Sequence, residues 1–550
     1  MLRTDNRRYT AHRDTFCAER LPNPEQLPVI FRDLPEYCYP ERLNCAAELL
    51  DRMVESGEGN RTAFIHESGC WTYQQLLEAA NRIAHALVDD LGLLPGNRVL
   101  LRGPNHPIVV ACWFGVVKAG GIAVATSCLL RCRELIAIAD KANISLAICD
   151  GRYADECMAA FTRRGDEESH QSSRVVLFNS NAADSLEALI ATKPSHFTNC
   201  DTSAEDIAII AFTSGSTGQG KGTMHTHRDL LAAADCFPRY VLRPDRDDIF
   251  IGTPPLAFTY ALGGLLLFPM RIGASTVLVE QASPKHLLEA IAQHRATVCF
   301  TAPTAYRAML KELTREQTAS LRKCVSAGEV LPLGTFEAWR EVTGLKIIDG
   351  IGSTEMLHMF ISAPEEAIRP GAIGKPIHGY EAKVIRSDGS DAGRGEVGRL
   401  AVRGITGCKY LDNPREQAKY VQNGWNLTGD SFHVDDDGYF WFEARTDDLI
   451  ISSGYNISGI EVENVLLEHP SVQECAVVGV PDTDRGQLVK AFIVPAAGYS
   501  GCDQLKKELQ DFVKSQIAPF KYPRALEFVS ALPRTVTGKL QRFHLREQAK

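Results

Sequence analysis

Ile207-Ala-Ile-Ile-Ala-Phe212 runs directly into Thr213-Ser-Gly-Ser-Thr-Gly-Gln-Gly-Lys-Gly222, and this junction decides the fold. Six apolar residues in a row read as a buried strand. The ten that follow hold four glycines, four hydroxyl side chains and a single lysine. Glycines let backbone N–H groups turn toward an anion, the hydroxyls add donors, and Lys221 adds a mobile positive charge. The composition alone would also suit a flexible linker. A linker, however, rarely leaves a buried strand or carries a lone lysine, so the segment reads as a phosphate-binding loop. From Gly215 to Gly220-Lys221 it has the spacing G-x4-G-K, but Gly222 stands where a Walker loop needs a Mg²⁺-binding Ser or Thr, and Thr223 comes one place late. A P-loop NTPase is therefore the alternative reading.

Upstream, helical and strand patterns alternate. Thr72 and Gln75 form the pattern of a capping box. Behind it Leu76, Ala80, Ile83, Ala84 and Leu87 keep a helical period. Val99–Leu101 reads as a buried strand, residues 108–118 as an apolar helix and residues 122–125 as a second strand; residues 134–142 and 145–149 repeat the unit. This order predicts a doubly wound α/β sheet with right-handed crossovers and ligands at the C-terminal strand ends. Residues 163–174 read as a charged surface loop, and the strand–helix alternation is expected to resume at Ile207 and run to about residue 445. Beyond it come strands at 448–452, 472–480 and 489–495 and an amphipathic helix marked by Leu505, Leu509, Phe512, Val513 and Ile517. The expected division is a body of residues 1–446 and a smaller α+β domain of residues 447–550. No internal repeat is visible.

Composition narrows the function. With 550 residues, 45% hydrophobic and 23% charged, the chain is long enough to bury a large core without disulfides or metal. A net charge of −9 gives no footprint for nucleic acid. Residues 1–21 carry no apolar core of signal-peptide length, and the apolar runs at 108–117 and 260–270 fall short of a membrane span. The sixteen cysteines have no zinc-ligand spacing beyond the isolated pair Cys128 and Cys132. Together these point to free thiols in a cytoplasmic enzyme.

The loop Thr213–Gly222 resembles the phosphate loop of the ANL adenylate-forming superfamily, which joins acyl- and aryl-CoA synthetases, peptide-synthetase adenylation domains and luciferases. Four further segments resemble family signatures in the family's order: Gly352-Ser-Thr-Glu355, Leu427-Thr-Gly-Asp430, Arg445-Thr-Asp-Asp-Leu-Ile-Ile-Ser-Ser-Gly454 and Pro533-Arg-Thr-Val-Thr-Gly-Lys539. Five ordered motifs over about 330 residues leave little to chance. The resemblance implies a large multi-subdomain N-terminal body with a small mobile C-terminal domain. It also implies two half-reactions: a carboxylate attacks the α-phosphorus of ATP to give an acyl-adenylate and pyrophosphate, then the thiol of coenzyme A displaces AMP. Such chemistry is electrostatic and positional.

The family roles carry over residue by residue. Thr213, Ser214, Gly215, Ser216, Thr217, Gly218 and Lys221 would hold the β- and γ-phosphates. Thr354 would contact the α-phosphate and Glu355 would bind Mg²⁺. Gly328, Glu329, Asp349, Gly350, Gly352 and Ser353 would surround the nucleotide. Asp430 and Arg445 would hold the ribose; Ala444 replaces the glycine usual before this arginine, which matters only if that position needs positive φ. Lys539 would bridge carboxylate and α-phosphate, Asp447 would be the hinge, and Gly454 would line the pantetheine tunnel.

Residues 256–264 contain no acid to pair with an ammonium, which argues against an α-amino acid. Eleven residues follow Lys539, too few for a carrier segment, so coenzyme A is the expected acceptor. Ser326-Ala-Gly-Glu329 and Asp349–His358 resemble the benzoate–CoA ligase branch, and Tyr39–Asn44 with Ser453–Ile457 resemble its 2-aminobenzoate members. The implied ring pocket is Phe258, Tyr260, Ala327, Gly328 and His358. The best reading is an aryl-CoA ligase for benzoate-type acids, with 2-aminobenzoate foremost. A medium-chain acyl-CoA ligase, an aryl-AMP ligase serving a carrier protein and an inactive nucleotide-binding protein are the other options, and a homodimer is the family's only hint about assembly.

Overall fold

The computed structural model describes residues 9–165, 174–213, 220–281, 283–445, 448, 450–452, 455–482, 486–517, 521–535 and 540–548. The capping box forms as expected. Thr72 Oγ1 accepts from the Gln75 N–H at 3.1 Å, and the Thr72 N–H donates to Gln75 Oε1 at 2.9 Å, starting the helix Tyr73–His85. Its apolar face, with Leu76, Ala80, Ile83 and Ala84, is fully buried. That face packs on the helix Pro107–Lys118, which is apolar all round and buried on all sides. Each large side chain so covered contributes about 1.5–3 kcal/mol. Lys118, fully buried at the end of this helix, is neutralised by both oxygens of Asp51 at 2.6 and 2.7 Å. Among the described residues no helix is long and apolar enough to cross a membrane.

Two large sheets carry the body. The six-stranded sheet runs Arg174–Phe178, Leu146–Asp150, Arg98–Arg102, Ile122–Thr126, Ile207–Phe212, Gly222–Thr226. All its neighbours are parallel except the last pair. In the nine-stranded sheet a parallel centre (Val298–Thr301, Lys323–Ser326, Ile347–Gly352) continues into the antiparallel Met359–Ser362. These are the doubly wound units that the strand–helix order predicts. The chain after residue 450 forms a separate five-stranded sheet with the helices Gly459–Glu468 and Asp503–Gln516, whose buried Leu505, Leu509 and Val513 fit the expected amphipathic face. All sixteen cysteines are free.

Two expectations need correction. Residues 163–165 end the helix Ala154–Gly165 and Arg174 starts a strand, so only the intervening residues, which lie outside those described, remain of the proposed loop. Strand–helix alternation also does not continue to residue 445. Tyr380–Ile385, Gly398–Gly404, Trp425–Val434, Val421–Gln422 and Phe440–Arg445 form an antiparallel sheet interrupted by one short helix, Pro414–Tyr420. Tight turns make antiparallel pairing the short route here: Asn423 (φ 51°) and Gly424 (φ 78°) turn the chain directly from one strand into the next.

Candidate active site

The phosphate loop joins antiparallel neighbours. Its base is closed by the Thr213 N–H donating to the Lys221 carbonyl at 3.0 Å and the Lys221 N–H donating to Thr213 Oγ1 at 3.3 Å. Ser214, Gly215, Ser216, Thr217 and Gly218 lie outside the described residues. A Walker loop opens a helix directly; this one opens the strand Gly222–Thr226, and the helix His227–Phe237 begins only after it. That topology removes the P-loop NTPase reading. Lys221 Nζ meets Glu416 Oε2 at 2.5 Å and lies 5.6 Å from the centre of the Tyr410 ring.

Gly352–His358 turns sharply between Ile347–Gly352 and Met359–Ser362, and four successive residues are pinned by different segments. Ser353 Oγ accepts from the Met356 N–H and meets the Tyr420 hydroxyl, both at 3.2 Å. The Thr354 carbonyl accepts from His225 Nε2 at 2.8 Å, and burial pushes His225 down to about 4, leaving it neutral. Glu355 Oε1 accepts from the Tyr410 hydroxyl at 2.6 Å. The Met356 carbonyl accepts from Thr406 Oγ1 at 2.7 Å. This anchoring holds Leu357 at φ 70°, a conformation a branched residue rarely adopts. The strained turn sends Glu355 toward Tyr410 and His358 toward an aromatic cluster. As a half-buried carboxylate with one oxygen fixed by a phenol, Glu355 fits a hard cation such as Mg²⁺, which prefers oxygen ligands.

Asp430 and Arg445 are direct partners across the antiparallel strands Trp425–Val434 and Phe440–Arg445. The two positions expected at the ribose are therefore neighbours. Ala444, buried opposite Ser431, is extended and needs no positive φ, which removes the question its methyl group raised. Asp349 faces Ser326 on the adjoining parallel strand. Asp349 Oδ1 and Ser326 Oγ are buried without a well-formed hydrogen bond among the described residues, and burial pushes the Asp349 carboxyl up to about 7 against the opposing pull of the Gly350 backbone and the Ser326 hydroxyl. Unsatisfied buried polar groups of this kind need an explanation, and a ligand is one. Gly350 follows Asp349 on the same strand, and Ala327, Gly328 and Glu329 leave the end of Lys323–Ser326. Glu329 pairs with Arg534 of the C-terminal region at 3.5 Å.

His358 and Tyr260 are brought together, their rings 5.8 Å apart and stacked. Phe268 meets His358 edge-on at 4.6 Å, Phe237 lies 5.5 Å away, and Phe300 lies 5.7 Å from Tyr260. Gly263 lets the backbone pass: a Cβ there would lie 2.3 Å from His358 Cδ2. Burial pushes His358 down to about 3, opposed only by the nearby Tyr260 backbone, and neither ring nitrogen makes a well-formed hydrogen bond among the described residues. The Tyr260 hydroxyl donates to the carbonyls of Val325 and Thr301 at 3.2 and 3.3 Å. Phe258 is half-buried at the start of the turn Thr259–Ala261, and no ring pairing joins it to this cluster. Asp349 lies close enough to Tyr260 to raise its phenol further, so the Tyr260–His358 cluster has a carboxyl group nearby that residues 256–264 do not reveal.

Asp447, Gly454 and Lys539 lie outside the described residues. Arg534, on the loop that leads to Lys539, holds both Glu329 and Glu474. Sequence reading missed Tyr410, Tyr420, Glu416 and His225 at the phosphate side and Phe237, Phe268 and Phe300 at the ring side. His66, His106 and Glu280 have metal-ligand composition. However, backbone N–H groups of Ser68 and Ile108 donate to Nδ1 of the two histidines, which places the proton of each neutral ring on Nε2, and Arg152 holds both oxygens of Glu280. This is an ion-pair clasp between the two large sheets.

A glycine-rich loop set between antiparallel strands, a pinned acidic turn and Asp430 facing Arg445 across two strands are the arrangement expected of an adenylate-forming ligase. The AMP-binding enzyme description matches residues 51–409, and the AMP-binding enzyme C-terminal domain matches residues 461–539. The chain belongs to this family and is an AMP-forming acid–thiol ligase. It is 36% identical over 520 residues to a benzoate–CoA ligase of Thauera aromatica, covering 93% of this chain and 97% of that protein. The solved anthranilate CoA ligase AuaEII in complex with anthranoyl-AMP superposes with a TM-score of 0.87 at 34% identity, covering 94% of this chain and 99% of that one. A benzoate CoA ligase from Burkholderia xenovorans LB400 gives a TM-score of 0.84 at 32% identity, covering 92% and 100%. Within the family the chain stands in the aryl-CoA ligase branch.

Proposed function

We propose that this enzyme activates a benzoate-type acid, foremost 2-aminobenzoate, to its acyl-adenylate with release of pyrophosphate and then transfers the acyl group to coenzyme A. The observation that carries this reading is the cluster around His358: a buried, neutral imidazole stacked on Tyr260 and walled by Phe237 and Phe268. Flat aromatic surfaces suit a ring substrate. An aromatic amine is a weak base and needs a hydrogen-bond acceptor, not a counter-ion; a neutral histidine nitrogen supplies one. The names of the relatives support the same class. On this reading Lys221, Thr213 and the loop between them hold the phosphates, Thr354 meets the α-phosphate, Glu355 holds Mg²⁺, and Asp430 with Arg445 holds the ribose. Lys539 stabilises the charge that develops between carboxylate and α-phosphate, and the region after Asp447 turns between the two half-reactions.

The test is pyrophosphate release over benzoate, 2-aminobenzoate, salicylate, octanoate and phenylalanine, with and without coenzyme A. We expect the aryl acids to give the higher kcat/KM, 2-aminobenzoate the highest, and thioester only when coenzyme A is present. Preference for octanoate or phenylalanine would refute the ring pocket while leaving adenylation intact.

A further inference from the structure

Lys221 already has a resident anion. Its Nζ is in hydrogen-bond contact with Glu416 Oε2 at 2.5 Å, while Glu416 Oε1 holds Lys419 Nζ at 2.7 Å. Glu416 enters from the short helix Pro414–Tyr420, its backbone N–H capped by Asn413 Oδ1 at 3.4 Å. The side chains of Lys221 and Glu416 are 29% and 28% exposed, so water screens the pair only in part. The same stretch of chain supplies Tyr410, which lies under Lys221 and holds Glu355. Lys221 hydrogen-bonding, then Lys419, keeps the Glu416 carboxyl below the usual range, so it is charged wherever the enzyme works.

We propose that Glu416 is a built-in counter-anion that competes with the terminal phosphates of ATP for Lys221, so that this carboxylate sets the enzyme's affinity for ATP and pyrophosphate. The inference rests on Lys221 being a phosphate ligand. An incoming polyphosphate meets a fixed negative charge at the lysine that is to receive it. Either Lys221 leaves Glu416 to bind phosphate, or the pair persists and Glu416 repels the phosphates. In both cases binding weakens, and the benefit falls at the other end of the step, where pyrophosphate must leave. When pyrophosphate departs, Glu416 retakes the lysine.

Glu416→Gln tests this, because the amide oxygen still accepts from Lys221 while the charge is gone. We expect KM for ATP and the inhibition constant for pyrophosphate both to fall about three- to tenfold, the scale of one partly screened charge acting on a polyanion, with kcat unchanged or lower. A KM for ATP within twofold of wild type, or raised, would overturn the proposal; a merely structural role for Glu416 predicts a raised KM. Should the Gln variant fail to fold, Glu416→Asp, which withdraws the carboxylate from Lys221, is read by the same KM criterion. Calorimetric titration of both proteins with MgATP, without any acid, makes the comparison independent of the substrate chosen. If ATP binds neither protein, the nucleotide reading itself falls. If ATP binds both equally, only the role of Glu416 does.

Discussion

Tyr410→Phe should damage adenylate formation while leaving the fold and the second half-reaction nearly intact. The hydroxyl donates to Glu355 Oε1 at 2.6 Å, and burial, then the Glu355 charge, pushes the phenol far above its ordinary value, so it stays a donor at every working pH. A hydrogen bond to a charged group contributes about 1.5–3 kcal/mol, which at about 1.4 kcal/mol per factor of ten is roughly a ten- to hundredfold change in rate. Phenylalanine fills the same space. The edge-on contact with Tyr420 at 5.8 Å and the ring under Lys221 at 5.6 Å both survive. Glu355 is half-buried, so water can replace the lost donor, and stability should change by less than about 1 kcal/mol. What disappears is the fixed orientation of the carboxylate that we assign to Mg²⁺. Pyrophosphate release should therefore slow about ten- to hundredfold, with the Mg²⁺ requirement shifted to higher concentration. Thioester formation from synthetic aryl-adenylate should stay within a few-fold of wild type, because metal and pyrophosphate have already left. Adenylation within twofold of wild type at limiting Mg²⁺, or equal loss in both half-reactions, would refute the assignment of Tyr410 as the group that positions Glu355.

Two further outcomes follow from the site. Burial raises the Asp349 carboxyl from 3.8 to about 7, so between these values the native state holds a proton that the unfolded chain has released. This contribution is fully present below about pH 4 and is lost as pH rises through about 7. The stability of wild type relative to Asp349→Asn should therefore fall as pH climbs from 5 to 8 in denaturant titrations, and a flat difference would refute the buried neutral acid. Lys539→Ala should slow adenylation by about 10²–10³, the typical loss for one preorganised donor, yet make thioester from synthetic adenylate within a few-fold of wild type; equal loss in both steps would refute a lysine that serves only the first.

Much of the body was legible because its signals are local. A capping box spans Thr72 to Gln75, a helical face repeats over one turn, and a buried strand running into a glycine-rich loop is contiguous in the chain. The ring side was only partly legible. His358 and Tyr260 sit in recognisable segments, whereas Phe237, Phe268 and Phe300 look like ordinary core residues until the fold sets them around His358. Asp349 shows the opposite failure. The family resemblance implied a nucleotide contact for it, but the depth of burial that raises its carboxyl, and its approach to Tyr260, depend on how the fold packs around it.

The phosphate side was missed for a different reason, and that reason bears on how the site works. Tyr410 and Glu416 follow Lys221 by almost two hundred residues and match no motif. They arrive through main-chain pairing: the Met224 N–H donates to the Lys409 carbonyl and the Leu411 N–H to the Gly222 carbonyl, both at 2.8 Å, and Thr223 bridges Tyr410 in antiparallel fashion. The buried pair of Lys409 Nζ and Asp229 Oδ2, at 2.6 Å, fastens the same joint to the helix His227–Phe237. The strand leaving the phosphate loop is thus covered along its free edge by the segment that supplies the partners of both Lys221 and Glu355. Backbone pairing leaves no trace in side-chain type, so no pattern in residues 409–416 could announce it. It also makes the two charged groups mechanically dependent on one another. A shift of residues 409–411 along that edge would move Tyr410 from Glu355 and Glu416 from Lys221 together, so the cation-binding and phosphate-binding halves of the site hold their spacing through a single strip of main chain.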